Sequence, residues 1–402
     1  MWTSNVPGLK TVYPVNMISA LCAIVSLTAQ ETLTPVELRV ELLKPLQQPG
    51  LAKRLVQWFS DPTLDNGSGV KTNGLDVAWA VRATGATRPP QIVRQDGEPP
   101  IKMVRIGESD LYAAASDFPE GTGFSWEFAI GDVAIGKWHN LEVYNSNPDN
   151  EYSDSVAHGV LSQQPPFTST VFATTSRNWW TYIPAGSKAS DELPVMIFQD
   201  GQWAKDYIPN VLDNLIARKE IPALAAIFLE PGKFPDGKSD RSREYDTLSD
   251  AYSHFLLDEI LPEFEKKQKL KHDPASRALA GLSSGGICSF TAAWEHPEAF
   301  GKVMSWVGSF TDIAHGSSLK EGGHNYPFLI RLSEKKPIRV FLQDGYNDLD
   351  NQFGSWWLAN QQMARALEFK GYDYRFVGGE GFHSDLHGRA ILPETLKWLW
   401  RP

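Results

Sequence analysis

Between Leu75 and Ile130 apolar and polar positions alternate, whereas beyond Leu193 short apolar runs are separated by stretches with helical spacing, so the chain changes period along its length. In the first regime Val77, Trp79 and Val81 face one side, and further strands are expected at Gln91 to Arg94, Ile101 to Ile106, Asp110 to Ala115 and Phe124 to Ile130. Gly85, Gly97, Gly107 and Gly121 or neighbouring prolines separate them, which describes a small antiparallel sandwich. A helix over Phe124, Trp126 and Phe128 would scatter these rings around its axis and bury polar residues beside them. Upstream, residues 30–70 carry helix-like spacing at Val36 to Leu43 and Leu51 to Phe59, broken by Pro45, Gly50 and the Asp61 to Gly69 tract; a helical arm leading into a loop is expected.

The Pro/Asn/Ser-rich piece Asn145 to Phe167 marks a boundary, after which Val171 to Thr174 and Trp179 to Ile183 read as an antiparallel entry to the second half. Strands at Val195 to Phe198, Ala223 to Leu229, Val303 to Val307, Ile338 to Leu342 and Tyr374 to Val377 then alternate with helices at Tyr207 to Ala217, Ala251 to Phe264, Phe353 to Leu367 and Ile391 to Trp400. This alternation implies a mostly parallel sheet covered on both faces, with its chemistry at the carboxyl ends of the strands. The expected division is 1–29 as a secretory signal segment, 30–70 as the arm, 71–157 as the sandwich and 165–402 as the α/β unit.

Composition narrows the function classes. A chain of 402 residues, 42% hydrophobic, can bury a large core, and its net charge of −10 without a basic block argues against nucleic acid as a partner. No apolar run reaches the roughly eighteen residues a membrane span needs, so no stable membrane insertion is expected. The run Met17 to Ala29 is short and is followed by polar Gln30 and Glu31, which reads as a signal core and a secreted or periplasmic location; an N-terminal arm is the competing reading. Of the two cysteines Cys22 lies in that run, and Cys288 falls on an apolar helix as a core residue.

The candidate chemistry centres on Arg277 to Trp294, an apolar run broken by Gly281-Leu-Ser283-Ser-Gly285 and continued with helical periodicity. A serine in G-x-S-x-G between strand and helix is a nucleophile elbow, with Ser283 raised above the sheet edge and the Ser284 N–H directed at a developing oxyanion. A glycine-rich turn without chemistry is the alternative. Two later strand ends carry partners: Ile338 to Asp350 holds Asp344, Asp348 and Asp350, and Phe376 to His383 ends in a histidine. Serine, acid and histidine in that chain order fit the α/β-hydrolase class, with Asp348 favoured as the acid and Asp344 and Asp350 left open. The acidic stretch lacks the spacing of a calcium loop, so no metal and no cofactor is expected. Gln199-Asp-Gly-Gln-Trp203 follows a strong strand, making the Gln202 N–H the candidate second oxyanion donor.

Phe198 to Trp203, Arg241-Ser-Arg-Glu-Tyr-Asp246, Gly281 to Gly286, Ser305 to Phe310 and the terminal Gly-x-His block make the chain resemble the enterochelin-esterase family, within a wider group that includes feruloyl esterases and mycolyltransferases. The resemblance runs from about Leu75 to Arg401. It implies an immunoglobulin-like sandwich in front of an α/β-hydrolase domain, carboxylic-ester hydrolysis by a serine nucleophile, and site positions at Ser283, Ser284, Gln202 and His383. Gly345-Tyr-Asn-Asp348 matches the Gly-Thr-Asn-Asp turn that carries the acid in related feruloyl esterases, with Tyr in place of Thr. Substrate contacts are sought among Trp203, Arg241, Arg243, Phe310, Tyr326 and Trp356, with Trp356 or Trp357 facing the core of its helix. Arg241 and Arg243 have a structural alternative, paired with acids such as Glu244 and Asp246. An aryl or siderophore-type ester, free or linked to a polysaccharide, is the expected substrate; acyl transfer to a sugar hydroxyl and a non-catalytic binding role are the alternatives.

Overall fold

The structure, a computed structural model, describes residues 33–45, 47–313 and 322–402; the expected signal segment lies outside them. Alternating strands build two four-stranded antiparallel sheets around Val77, Trp79, Val81, Ile92, Phe124, Trp126 and Phe128. Trp79 and Trp126 meet edge to face at 6.2 Å across the two sheets. The strand Asp76–Arg82 is buried on both faces, because Ala78 and Ala80 point outward beneath the helical arm, where Leu38, Leu51, Leu55, Phe59 and Leu64 pack. The arm is therefore a cover for the sheet. Thr34 caps its first helix, Pro35–Leu42, in a reciprocal arrangement with Glu37.

Three strands depart from expectation. Ile101 to Ile106 is not one strand: Ile101–Lys102 joins one sheet and Val104–Arg105 the other, with buried Met103 at the crossing. Val133–Glu142 is a strand that hydropathy did not reveal, since its first half is exposed. Val171 to Thr174 is a turn, because the Glu259 carboxylate accepts the Thr170 and Val171 N–H groups at 2.7 and 3.1 Å and holds the chain in a tight bend. The antiparallel entry is made instead by Val160–Gln163, ahead of residue 165, paired with Trp179–Ile183.

The second half holds one eight-stranded sheet, ordered Asp373–Gly379, Arg339–Gly345, Lys302–Trp306, Arg277–Leu282, Val195–Gln199, Ala225–Leu229, Trp179–Ile183 and Val160–Gln163. The first six run parallel, Trp179–Ile183 pairs antiparallel to Ala225–Leu229, and Val160–Gln163 pairs antiparallel to Trp179–Ile183. Apolar clusters cover both faces. The expected helix Ala251 to Phe264 changes pitch along its course: Ala251–His254 is α-helical, Phe255–Ile260 is a π-helical segment, and Leu261–Glu265 resumes with Pro262 at its start. The helix expected from Phe353 begins at Trp356, where Ser355 caps the Leu358 N–H.

After Val195–Gln199 the chain fills the position on one side of that strand, then returns to the other side with Arg277–Leu282. The reversal opens a crevice outside the carboxyl ends of these two strands, where such sheets bind ligands.

Candidate active site

Backbone strain marks the same edge. Asp200, Ser283 and Val307 follow three adjacent strands and adopt φ values of 53°, 59° and 42°, a region non-glycine residues seldom enter. For Ser283 the strain is a consequence of packing strand directly into helix. A Cβ on Gly281 would lie 2.2 Å from the Gly285 carbonyl oxygen, so only glycine lets the elbow close. Buried Cys288, whose thiol is pushed up by desolvation, sits beneath it in the helix Ser284–Glu295 as a core residue.

The His383 ring stands between two oxygens. Its Nε2 is 2.8 Å from Ser283 Oγ and its Nδ1 is 2.6 Å from Asp348 Oδ1. Asp350 is exposed on the strand Asp350–Asn351, and Asp344 lies behind Asp348, accepting the Gly345 N–H and an Asn360 side-chain N–H, both at 2.8 Å. Burial first, and the neighbouring Asp348 second, push the Asp344 carboxyl far above the usual carboxylate range. The Trp356 ring packs edge to face on His383 at 5.7 Å, and its Nε1–H donates to Ser309 Oγ at 3.1 Å. Ser309 in turn lies 3.2 Å, hydroxyl to hydroxyl, from Ser283. The Gly308-Ser309-Phe310 motif contained this residue, but its place beside the elbow arises from the adjacent strand Lys302–Trp306.

Ser284 opens the long helix, where the first four N–H groups lack intrahelical acceptors. Gln202 is the second residue of the short helix Gly201–Ala204, across the crevice. Gly201 is held against the neighbouring strand so closely that a Cβ would approach the Leu229 nitrogen to 2.4 Å. Asp200 anchors this turn through a two-pronged pair with Arg241, Nε at 2.9 Å and Nη2 at 2.7 Å.

That pairing corrects the expected role of Arg241, whose guanidinium is engaged by Asp200 and supports the turn. Arg243 pairs with Asp240, three residues before it, and stands half exposed. Glu244 pairs with buried Arg177 instead. Phe310 and Tyr326 are also corrected: both are buried in the core, packed around Phe290, with the Tyr326 hydroxyl donating to Thr291 at 2.7 Å. Trp356 is buried as well and meets the histidine ring, while Trp357 packs over Phe376. Trp203 alone among the expected aromatic contacts is exposed, at 63%, and it borders a cavity of about 490 Å³. Phe198, Tyr207 and Trp306 line the same cavity with Asp200, Asp206, Asp385 and Arg389, beside the elbow residues Gly281 and Leu282.

Sequence reasoning missed one whole side of the site. Glu142 ends the sandwich strand Val133–Glu142 and accepts the Ser384 hydroxyl at 2.8 Å and the Tyr144 hydroxyl at 3.2 Å. Burial pushes the Glu142 carboxyl up; bonds from Ser384, the Phe382 N–H and Tyr144 draw it back, and nearby Asp348 adds a further upward push. Asn347 binds the Glu380 carbonyl at 2.7 Å, and the Gly123 backbone is so near that a Cβ there would lie 2.2 Å from the same oxygen. Tyr144 stacks on His387 at 5.0 Å. The sandwich thus grips the segment that carries His383 from both flanks.

A family model described as putative esterase matches residues 173–386, more than half of the chain. Among curated relatives, the iron(III) enterobactin esterase of Dickeya dadantii is 26% identical over 240 residues, covering 56% of this chain and 51% of that protein. The chain spans about half the length of the curated relatives it matches. The solved enterobactin esterase from Shigella flexneri, in the presence of enterobactin, superimposes with a TM-score of 0.59 at 15% identity, over 86% of this chain and 97% of the other. A ferulic acid esterase gives 0.50 at 19% identity, over 61% of this chain and 99% of the other. These structural likenesses establish a shared α/β-hydrolase fold.

Proposed function

The chain belongs to the putative esterase family, as an enterochelin esterase-like member related to the feruloyl esterases, and on that premise we propose that it hydrolyses carboxylic esters through Ser283, His383 and Asp348. The observation that carries this reading is the continuous hydrogen-bonded line from Ser283 Oγ through both imidazole nitrogens to a buried carboxylate. His383 takes the serine proton as Oγ attacks the ester carbonyl, while Asp348 holds the tautomer and stabilises the imidazolium. The N–H groups of Ser284 and Gln202 receive the oxyanion. His383 then returns the proton to the departing alkoxide, which leaves an acyl-Ser283 ester; water, deprotonated by the same imidazole, releases the acid and frees the serine.

The substrate is an uncharged or weakly charged aryl ester. Trp203 and Tyr207, seated over buried Phe198 and Trp306, offer flat apolar surface beside the elbow, and the arginines in or beside that cavity are already matched by acids, Arg241 by Asp200 and Arg389 by Asp385, which disfavours a multiply anionic iron complex. The two-sheet unit is read as an immunoglobulin-like domain that shapes the site, and the apolar run Met17 to Ala29 supports a secreted or periplasmic location.

Ser283→Ala removes the nucleophile and little volume. Turnover of a panel of aryl and alkyl esters, followed by released acid, is expected to fall by about 10³-fold or more with the circular dichroism spectrum unchanged. Retention of more than about a tenth of the wild-type rate would sink the serine mechanism. A preference for ferric catecholate esters over neutral aryl esters would overturn the substrate assignment.

A further inference from the structure

Far from Ser283, the segment Ala251–His254 packs against the last turn of the helix Ser284–Glu295, and there Asp250, His254 and His296 bring three metal-binding side chains together. One ligand atom from each lies within 4.8 Å of the others, and His254 Nε2 is 3.7 Å from Asp250 Oδ2. Tetrahedral bonds of about 2.0–2.1 Å separate ligand atoms by about 3.3 Å, so small side-chain rotations close such a site.

The surrounding carboxylates supply the second observation. His254 Nδ1 is 2.9 Å from Asp258 Oδ2, and His296 Nδ1 is 2.8 Å from Glu298 Oε1. Each carboxylate accepts an Nδ1–H, which fixes the ring orientation and leaves Nε2 with its lone pair. Histidine ligands of metal sites are set up in this way, the outer carboxylate raising the basicity of the free nitrogen. The two rings stand edge to face with centroids 5.3 Å apart.

We propose that Asp250, His254 and His296 bind one divalent transition-metal ion, with zinc as the fitting member, through the two Nε2 atoms and a carboxylate oxygen, solvent filling the remaining position. Two imidazoles and one carboxylate favour zinc, nickel or copper over magnesium or calcium, which take oxygen ligands. The ion ties the start of the π-helical segment Phe255–Ile260 to the far end of the nucleophile helix. A helix of twelve residues is about 18 Å long, so the ion takes no part at Ser283 and acts on stability.

The test uses the untagged full chain stripped with a chelator, titrated with zinc by calorimetry and then melted. Saturable binding of one zinc ion per chain is expected, with Tm rising as zinc is added, while calcium and magnesium at equal concentration leave it unchanged. The double variant His254→Gln/His296→Gln abolishes both effects. Asp258→Asn and Glu298→Gln, which remove only the outer partners, weaken zinc binding by about 10- to 100-fold. Zinc binding that survives the double variant, equal responses to zinc and calcium, or outer-carboxylate variants that bind as wild type would each overturn the assignment. Ester turnover stays at the wild-type rate in all these variants.

Discussion

The two halves of the molecule each offer a carboxylate to the histidine segment, and the two are placed in opposite electrostatic situations. Asp348, from the eight-stranded sheet, faces the His383 ring itself at 2.6 Å, so a proton arriving on the imidazole forms a charged pair. Glu142, from the sandwich, meets only neutral donors, the hydroxyls of Ser384 and Tyr144 and a backbone N–H, and burial raises its pKa. The first arrangement suits a group that answers charge during a reaction. The second suits a clamp that fixes backbone. Proximity to a histidine loop therefore does not identify a catalytic acid; the atom it faces does.

The largest expected effect separates the two carboxylates directly. Asp348→Asn should lower kcat/KM on an aryl ester by about 10³- to 10⁴-fold with folding preserved, because an amide supports the wrong tautomer and does not offset imidazolium charge. Asp344→Asn should lose at least tenfold less, roughly, because Asp344 bonds Gly345 and Asn360 and does not touch the ring. An Asp344 variant as damaged as the Asp348 variant would transfer the role of the acid.

Glu142→Ala comes next. It releases Ser384 and loosens the histidine segment, and small misplacements of a catalytic group lower rate steeply; kcat should fall by about 10- to 100-fold with KM little changed. Glu142→Gln keeps an acceptor for Ser384 and should recover most of that loss, whereas a merely structural role would show equal melting losses and unchanged kcat in both variants.

The smallest effect is in the pH dependence of stability. The folded-state pKa of Glu142 is raised, so the folded chain holds its proton more tightly than the unfolded chain does. Its contribution to stability is therefore greatest below the ordinary carboxylate value and declines as pH rises from there to the raised folded value. Glu142→Gln should lack this decline, melting above wild type on the alkaline side of that window and losing the advantage at acid pH. Parallel slopes for the two proteins in thermal melts across pH 3 to 9, roughly, would show that the fold does not raise the Glu142 pKa.

Legibility from the chain followed the range of the forces involved. The alternation of Val77, Trp79 and Val81 and the glycine spacing around Ser283 are local constraints, so both the sheet and the elbow could be read directly. Ile101 to Ile106 read as one strand because hydropathy does not distinguish two sheets that share a core. Val133–Glu142 escaped because its outer half is solvated and its decisive residue, Glu142, is a buried acid that looks like a surface one. Phe310 and Tyr326 looked suited to an aryl ligand, and they are instead the packing beneath the helix Ser284–Glu295.

The sequence by itself determined the period of each region, the strained serine turn, and the chain order of serine, acid and histidine, because each rests on neighbouring residues and backbone sterics. Only the tertiary structure decided which acid faces His383, that Arg241 answers Asp200, and that the sandwich reaches Ser384 through Glu142. Those choices are made between side chains brought together by sheet order and by two halves docking, and at such range polarity along the chain carries no record of the partner.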